Sequence, residues 1–181
     1  MPKAMRIHQN GGPEVLTLDD VERPEPGPGQ ALIRHGGIGV NFIDIHQRTG
    51  RYPLPELPVT LGMEGAGTVE AVGEGVSVVK PGDRVSYVAG GHGAVPCSYA
   101  EYAVMPADSL ILLPDEIDDV TAAGMTLKGL TAQYLIRGAY PGQAGATILV
   151  HGAAGGVGLL LGPLAGHLGR GVAGAVAAPG P

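Results

Sequence analysis

Four of the seven residues in Gly152-Ala153-Ala154-Gly155-Gly156-Val157-Gly158 are glycine, and the heptad joins two apolar runs. Before it stands Thr147-Ile148-Leu149-Val150, and after it Leu159-Leu160-Leu161. A buried strand, a turn without side chains and a helix start, in that order, let the backbone approach a pyrophosphate. Its charge then faces the amide hydrogens of the helix N-terminus. The spacing is G-x-x-G-G-x-G rather than G-x-G-x-x-G, and the heptad also fits a plain tight turn with close helix–strand packing. Selection of NAD normally rests on an acidic residue about 20 positions further on. Those positions fall on Val176–Pro181, which hold no carboxylate and so disfavour NAD, but no Arg or Lys for a 2′-phosphate either.

Metal and acyl-transfer chemistry are tested by counting. Zinc wants about three or four Cys or His ligands at short spacing. The chain has one cysteine, Cys97, and its six histidines (His8, His35, His46, His92, His151 and His167) form no tight cluster. No zinc or other metal site is expected. No Gly-x-Ser-x-Gly elbow occurs, so a Ser–His–Asp hydrolase is unsupported.

The elements that must position these residues follow from composition. With 32 glycines and 16 prolines in 181 residues, yet 44% hydrophobic and 15% charged residues, the chain can bury a core but cannot be a helical bundle. No membrane-spanning run and no signal peptide are visible, and a lone cysteine makes a cytoplasmic setting the default. All 17 carboxylates lie in residues 1–119 against 8 Lys and Arg, whereas residues 120–181 carry only Lys128, Arg137 and Arg170. The acidic part argues against nucleic acid, and the carboxylate-free part is compatible with an anionic ligand.

Ala4–His8, Val15–Leu18, Ala31–Ile38, Gly62–Val72, Arg84–Val88 and Ser98–Met105 read as short strands between Gly- and Pro-rich turns, suggesting a small β barrel or sandwich. Asn41–Arg48 reads as a short helix that Asn41 can cap, with Asp44 able to pair with Arg48. The character changes near Pro114. Thr121–Gly124 and Lys128–Arg137 are helix candidates, Thr147–Val150 looks like a strand buried on both faces, and Val172–Ala177 closes one βαβ unit. The domain boundary is expected at about residue 120.

Several motifs resemble one family. They are Gly11-Gly12-Pro13-Glu14-Val15-Leu16, Asn41-Phe42-Ile43-Asp44, Arg48-Thr49-Gly50-Arg51-Tyr52-Pro53, Gly62-Met63-Glu64-Gly65-Ala66-Gly67-Thr68-Val69, Lys80-Pro81-Gly82-Asp83-Arg84-Val85, Lys128-Gly129-Leu130-Thr131-Ala132-Gln133-Tyr134-Leu135 and Ala153-Ala154-Gly155-Gly156-Val157-Gly158. In this order they resemble the zinc-free quinone oxidoreductases of the medium-chain dehydrogenase/reductase superfamily. Zinc-dependent relatives place a histidine where Met63 stands and a cysteine near Asn41.

The resemblance implies an α+β fold: a GroES-like β-rich catalytic domain over residues 1–119, then an incomplete Rossmann domain over 120–181, with NADPH in the cleft. It implies hydride or electron transfer from NADPH to a quinone or related enone, with no membrane partner, and a homodimer for the complete family enzyme. Carried over by position, Asn41, Asp44 and Tyr52 are the candidate catalytic residues. Asn41 would bond near the nicotinamide, Asp44 would support it, and Tyr52 would line the acceptor pocket. Asn41, Lys128, Thr131, Ala154, Gly155, Gly156, Val157 and Gly158 are the candidate cofactor-binding residues. His46 stands where the family often has an aromatic residue. Residues 162–181 depart from the pattern, with 6 Gly, 3 Pro and 5 Ala, costly in a helix interior. The chain reads as a truncated or frame-disrupted member, and a non-catalytic remnant with little cofactor affinity is the competing expectation.

Overall fold

The computed structural model describes residues 1–89 and 97–176. His92, in the glycine-rich sequence before Cys97, and the stretch 177–181 that would carry most of the cofactor-selecting positions lie outside the described residues. Two compact units are present, Met1–Thr126 and Leu127–Pro181.

In the first unit, Gln30–Gly39 (β3) buries Ala31, Leu32 and Ile33 in succession, so both of its faces are covered there, and exposed residues alternate with covered ones only from Arg34 on. β3 pairs antiparallel on one side with Glu64–Val72 (β5) and on the other with Tyr102–Pro106 (β7). Arg84–Val88 (β6) and the short Ile111–Leu112 (β8) extend the sheet to the order β7-β3-β5-β6-β8. Glu70 on β5 and Gly36 on β3 are extra residues that bulge from the β3–β5 ladder. A second antiparallel sheet, order β2-β1-β4, joins Leu16–Asp20 (β2), Lys3–Ile7 (β1) and Val59–Thr60 (β4). Ile7, Val59 and Leu61 form its core, with Val15, Leu16, Leu54 and Tyr99 packed against them.

The expected strand Ser98–Met105 begins only at Tyr102. Before that the backbone divides its hydrogen bonds between the two sheets. Tyr99 N–H donates to Leu61 O, Met5 N–H to Tyr99 O, Glu101 N–H to Lys3 O, and His35 N–H to Glu101 O. A segment shared in this way turns a corner between sheets, and cannot run as one straight strand.

The two expected helices near residues 121–137 are one continuous helix, Asp119–Gln133 (α2), followed by a π-helical turn over Tyr134–Ala139. Asp118 accepts from the Thr121 N–H at 2.7 Å and from its hydroxyl at 3.1 Å, which closes the start of the helix. Thr126 and Thr131 hydroxyls donate back to Ala122 O and Leu127 O, so neither residue interrupts it.

In the second unit, Thr147–His151 (β9) and Gly171–Ala175 (β10) pair in parallel on either side of the helix Gly156–His167 (α3) in the chain. This is one right-order βαβ passage. α3 carries Pro163, Gly162 and Gly166 yet is helical, because Leu161 and Ala165 pack into a core with Ala132, Ile136 and Val150. β9 is not buried on both faces as its sequence suggested: Val150 is buried, but Leu149 is 63% exposed. A strand covered on one side by a short helical layer has one solvent face.

Candidate functional site

Phe42–Arg48 (α1) starts at Asn41, whose extended backbone makes it the cap residue. Asp44 folds back and accepts the Asn41 N–H through Oδ2 at 2.8 Å, the reciprocal closure of a capping box. Spacing of three places Asn41, Asp44 and Gln47 on one face, and all three are buried. That polar face meets three other side chains. Asn41 Nδ2 donates to Glu64 Oε2 at 2.9 Å, Tyr99 Oη donates to Asp44 Oδ2 at 2.8 Å, and Gln47 Nε2 donates to Met63 Sδ at 3.4 Å. Burial, and secondarily the neighbouring Asp44 carboxylate, push the Tyr99 phenol far above its usual range, so it stays a proton donor at any working pH.

The opposite face of α1 is aromatic and open. Phe42 meets His46 edge-on at 5.6 Å between ring centres, and His46 meets Tyr52 edge-on at 5.1 Å. Phe42 and Tyr52 are exposed. The loop carrying Gly11 braces the end of the helix: Arg48 Nε donates to Gly11 O, and Asn10 Nδ2 to the carbonyls of Gln47 and Arg48. The structure therefore brings Asn41 and Asp44 into direct contact and places Tyr52 in the adjoining ring cluster.

In the second unit, the turn after β9 closes through Gly155 N–H to Gly152 O at 2.8 Å, with Gly152 at φ +70°. α3 then begins at Gly156. A Cβ on Gly156 would lie 2.9 Å from Lys128 Cδ, so the lysine stem crosses the helix start. Ala154, Gly155 and Gly156 are exposed, while Val157 and Gly158 are half-buried beneath them. Open amides at a helix N-terminus beside an ammonium group match the charge and shape of a pyrophosphate. An apolar groove of about 670 Å³ adjoins this turn, lined among others by Leu135, Tyr140, Leu149 and Leu161. Thr131 sits half-buried on α2, its hydroxyl proton given to Leu127 O at 2.8 Å.

Sequence reasoning missed Glu64 and Tyr99 as members of the site. Neither stands at helical spacing from Asn41; the only signal was a carboxylate directly before the small-residue run Gly65–Thr68. A third missed feature is a half-buried hydrogen-bonded chain in the five-stranded sheet. His35 Nδ1 lies 2.6 Å from Ala100 O and its Nε2 2.7 Å from Tyr87 Oη. The carbonyl can only accept, which assigns the proton to Nδ1 and makes the tyrosine the donor to Nε2. Burial lowers the His35 pKa. Among the described residues, no three His, Cys, Asp or Glu side chains converge to hold a metal. None of the described helices is long and apolar enough to cross a membrane.

Residues 27–115 match the alcohol dehydrogenase GroES-like domain. The chain is 49% identical over 179 residues to a quinone oxidoreductase of Pseudomonas aeruginosa, covering 99% of this chain and 54% of that protein. It resembles the solved quinone oxidoreductase of Pseudomonas syringae with a TM-score of 0.92 at 46% identity, covering 99% and 54% of the two chains. It resembles the Escherichia coli quinone oxidoreductase, solved in complex with NADPH, with a TM-score of 0.90 at 39% identity, covering 96% and 52%. A GroES-like sheet followed by a βαβ passage with a glycine turn defines the front of the medium-chain dehydrogenase/reductase fold. Within that superfamily, the chain is similar along nearly its whole length to quinone oxidoreductases. It spans about half the length of the curated relatives it matches.

Proposed function

We propose that this chain is the front part of an NADPH-dependent oxidoreductase that reduces a quinone or related enone. The observation that carries the reading is the β9–turn–α3 start with Lys128 lying across Gly156, a cradle for a dinucleotide pyrophosphate. NADPH, when bound, supplies the hydride; the protein supplies position and polarity. Gly156, Val157 and Gly158 take the pyrophosphate through backbone amides, Ala154 and Gly155 form the turn that leads to them, Lys128 adds charge, and Thr131 faces the nicotinamide. In the first unit Asn41 bonds near the nicotinamide, Asp44 holds Asn41, and Tyr52 lines the acceptor pocket and polarises a quinone oxygen with its phenol. Side chains at the Asn41 and Met63 positions bond to a carboxylate and an amide, so the reaction runs without zinc. The division into a catalytic domain over residues 1–119 and a partial nucleotide-binding domain over 120–181 belongs to the same proposal, as does a homodimer for the family-length enzyme.

A second reading, a GroES-like unit with little cofactor affinity, is favoured by one observation. Leu149 and His151 on β9 stand exposed beside the turn, so the nucleotide cradle is open to water on that side. Fluorescence titration of the chain with NADPH and NADH separates the two, followed by addition of 1,4-benzoquinone while the reduced-nicotinamide absorbance is monitored. Saturable binding that is tighter for NADPH, with quinone-dependent loss of absorbance, is expected. Saturation by neither dinucleotide overturns the reductase reading in favour of the second.

A further inference from the structure

The structure assigns Tyr99 and Glu64 as positioning residues that lock Asn41 from two sides. This rests on the reading of Asn41 as the residue that meets the nicotinamide.

Asn41 is held at both its backbone and its side chain. Its N–H is fixed by Asp44 Oδ2, and that same oxygen is fixed by the Tyr99 hydroxyl, both at 2.8 Å. Tyr99 thus acts on Asn41 through Asp44. On the other side, Glu64 is fully buried and takes the Asn41 Nδ2 hydrogen at 2.9 Å. A carboxylate accepts and does not donate, so it admits only one of the two flip states of the carboxamide. The end carrying the nitrogen is turned to Glu64 and the oxygen to the opposite side.

Two glycines exist to admit these two side chains. A Cβ on Gly39 would fall 2.5 Å from Glu64 Oε2 and would also collide with the Ala123 carbonyl, so the carboxylate reaches Asn41 only because β3 ends in glycine. A Cβ on Gly62 would collide with the Tyr99 ring and the Ser98 hydroxyl; moreover, Gly62 has φ +97°, a conformation that favours glycine. The ring therefore lies across the connection into β5, and its hydroxyl points at Asp44. Gly39, the segment Gly62–Glu64 and Tyr99 come from three places in the first unit and serve one amide. Bonds among buried groups of this kind are worth more than exposed ones, and together fix a single geometry.

Tyr99→Phe tests the assignment in the full 181-residue chain, because it removes the hydroxyl and keeps the ring. Amide hydrogen exchange is read residue by residue by NMR. The expected result is exchange at the Asn41 N–H about tenfold faster, with amides of β3, β5 and β7 within twofold of the parent. Unchanged exchange at Asn41 overturns the role of Tyr99. The companion pair is Glu64→Gln, which keeps an acceptor, and Glu64→Leu, which does not. The Asn41 side-chain NH2 resonances should stay near their parent positions in the first and shift toward those of a solvated amide in the second. Identical spectra for the two variants overturn the role of Glu64. If Tyr99→Phe does not fold, a packing role for the hydroxyl is shown instead and the assignment of Tyr99 falls. None of these readouts needs turnover, so failure to bind NADPH would remove the reductase reading without deciding this one.

Discussion

Gly158 and Ala153 are in backbone contact: a Cβ on Gly158 would lie 2.5 Å from the Ala153 carbonyl oxygen. The turn after β9 and the first turn of α3 are therefore packed with no room for a methyl group, and the neighbour is main chain that cannot rotate away. Gly158→Ala is expected to destabilise the second unit by about 1–3 kcal/mol, the usual cost of overpacking. Thermal or urea unfolding followed by resonances of Val150 and Leu161 measures this, while resonances of Ile7 and Leu61 report the first unit. Equal stability of parent and variant would refute the packing argument.

Lys128→Ala tests the charge at the start of α3. The lysine stem crosses Gly156, at the helix start proposed to take the pyrophosphate. Loss of one charge-assisted contact is worth about 1.5–3 kcal/mol, or roughly 10- to 150-fold in affinity. NADPH titration should weaken by that factor, and weaken less in high salt, where the parent is already screened. An unchanged dissociation constant would take Lys128 out of the cofactor site.

Acid should loosen the first unit through His35. Its folded pKa lies below the unfolded value of 6.5, because burial disfavours the charged ring. Below pH 6.5 the unfolded chain then binds a proton the folded chain does not, and stability falls as pH falls through that window. The contribution is fully present above the unfolded pKa. His35→Gln keeps a donor and an acceptor but cannot titrate, so its melting temperature should depend less on pH between about 7 and 5.5. Parallel pH profiles for parent and variant would exclude His35 as the source.

Cys97 should be unreactive in the folded chain. Burial pushes its thiol up to about 11, partly offset by the neighbouring Tyr87 hydroxyl. From the ordinary 9.0 of an unburied thiol that is about a hundredfold loss of thiolate at neutral pH. Alkylation by iodoacetamide is therefore expected to be on the order of a hundredfold faster in guanidinium than in native buffer. Comparable rates in the two conditions would show that the thiol is exposed.

How much of this was legible depended on range. Asn41 as a helix cap, and Asp44 one turn on, follow from local spacing, and the structure places both as that spacing suggests. The strand–glycine–helix order at residues 147–158 was equally local. Glu64 and Tyr99 were not legible, because 23 residues separate Asn41 from Glu64 and 55 separate Asp44 from Tyr99. Only sheet register brings them together. The continuity of α2 through residues 125–127 was hidden for a different reason. Two glycines, Gly124 and Gly129, lower helix propensity, but neither would meet a clash or an unusual backbone angle there. Likewise the exposed face of β9 is a property of what packs beside the strand rather than of its residues.

The paired bulges of β3 and β5 bear on how this sheet tolerates lost codons. Glu70 is extra on one strand and Gly36 on the other, and the register that shifts between Leu32 and Ile33 shifts back between His35 and Gly37. Only Ile33 to His35 are displaced, and the two ends of the ladder keep the same alignment. Deleting either residue alone would slide one end of the ladder by a position and turn every side chain beyond it to the wrong face. Deleting both would leave the ends aligned and regularise the middle. The two deletions are thus expected to be individually damaging and mutually compensating, an epistatic pair written by ladder geometry between codons more than thirty positions apart.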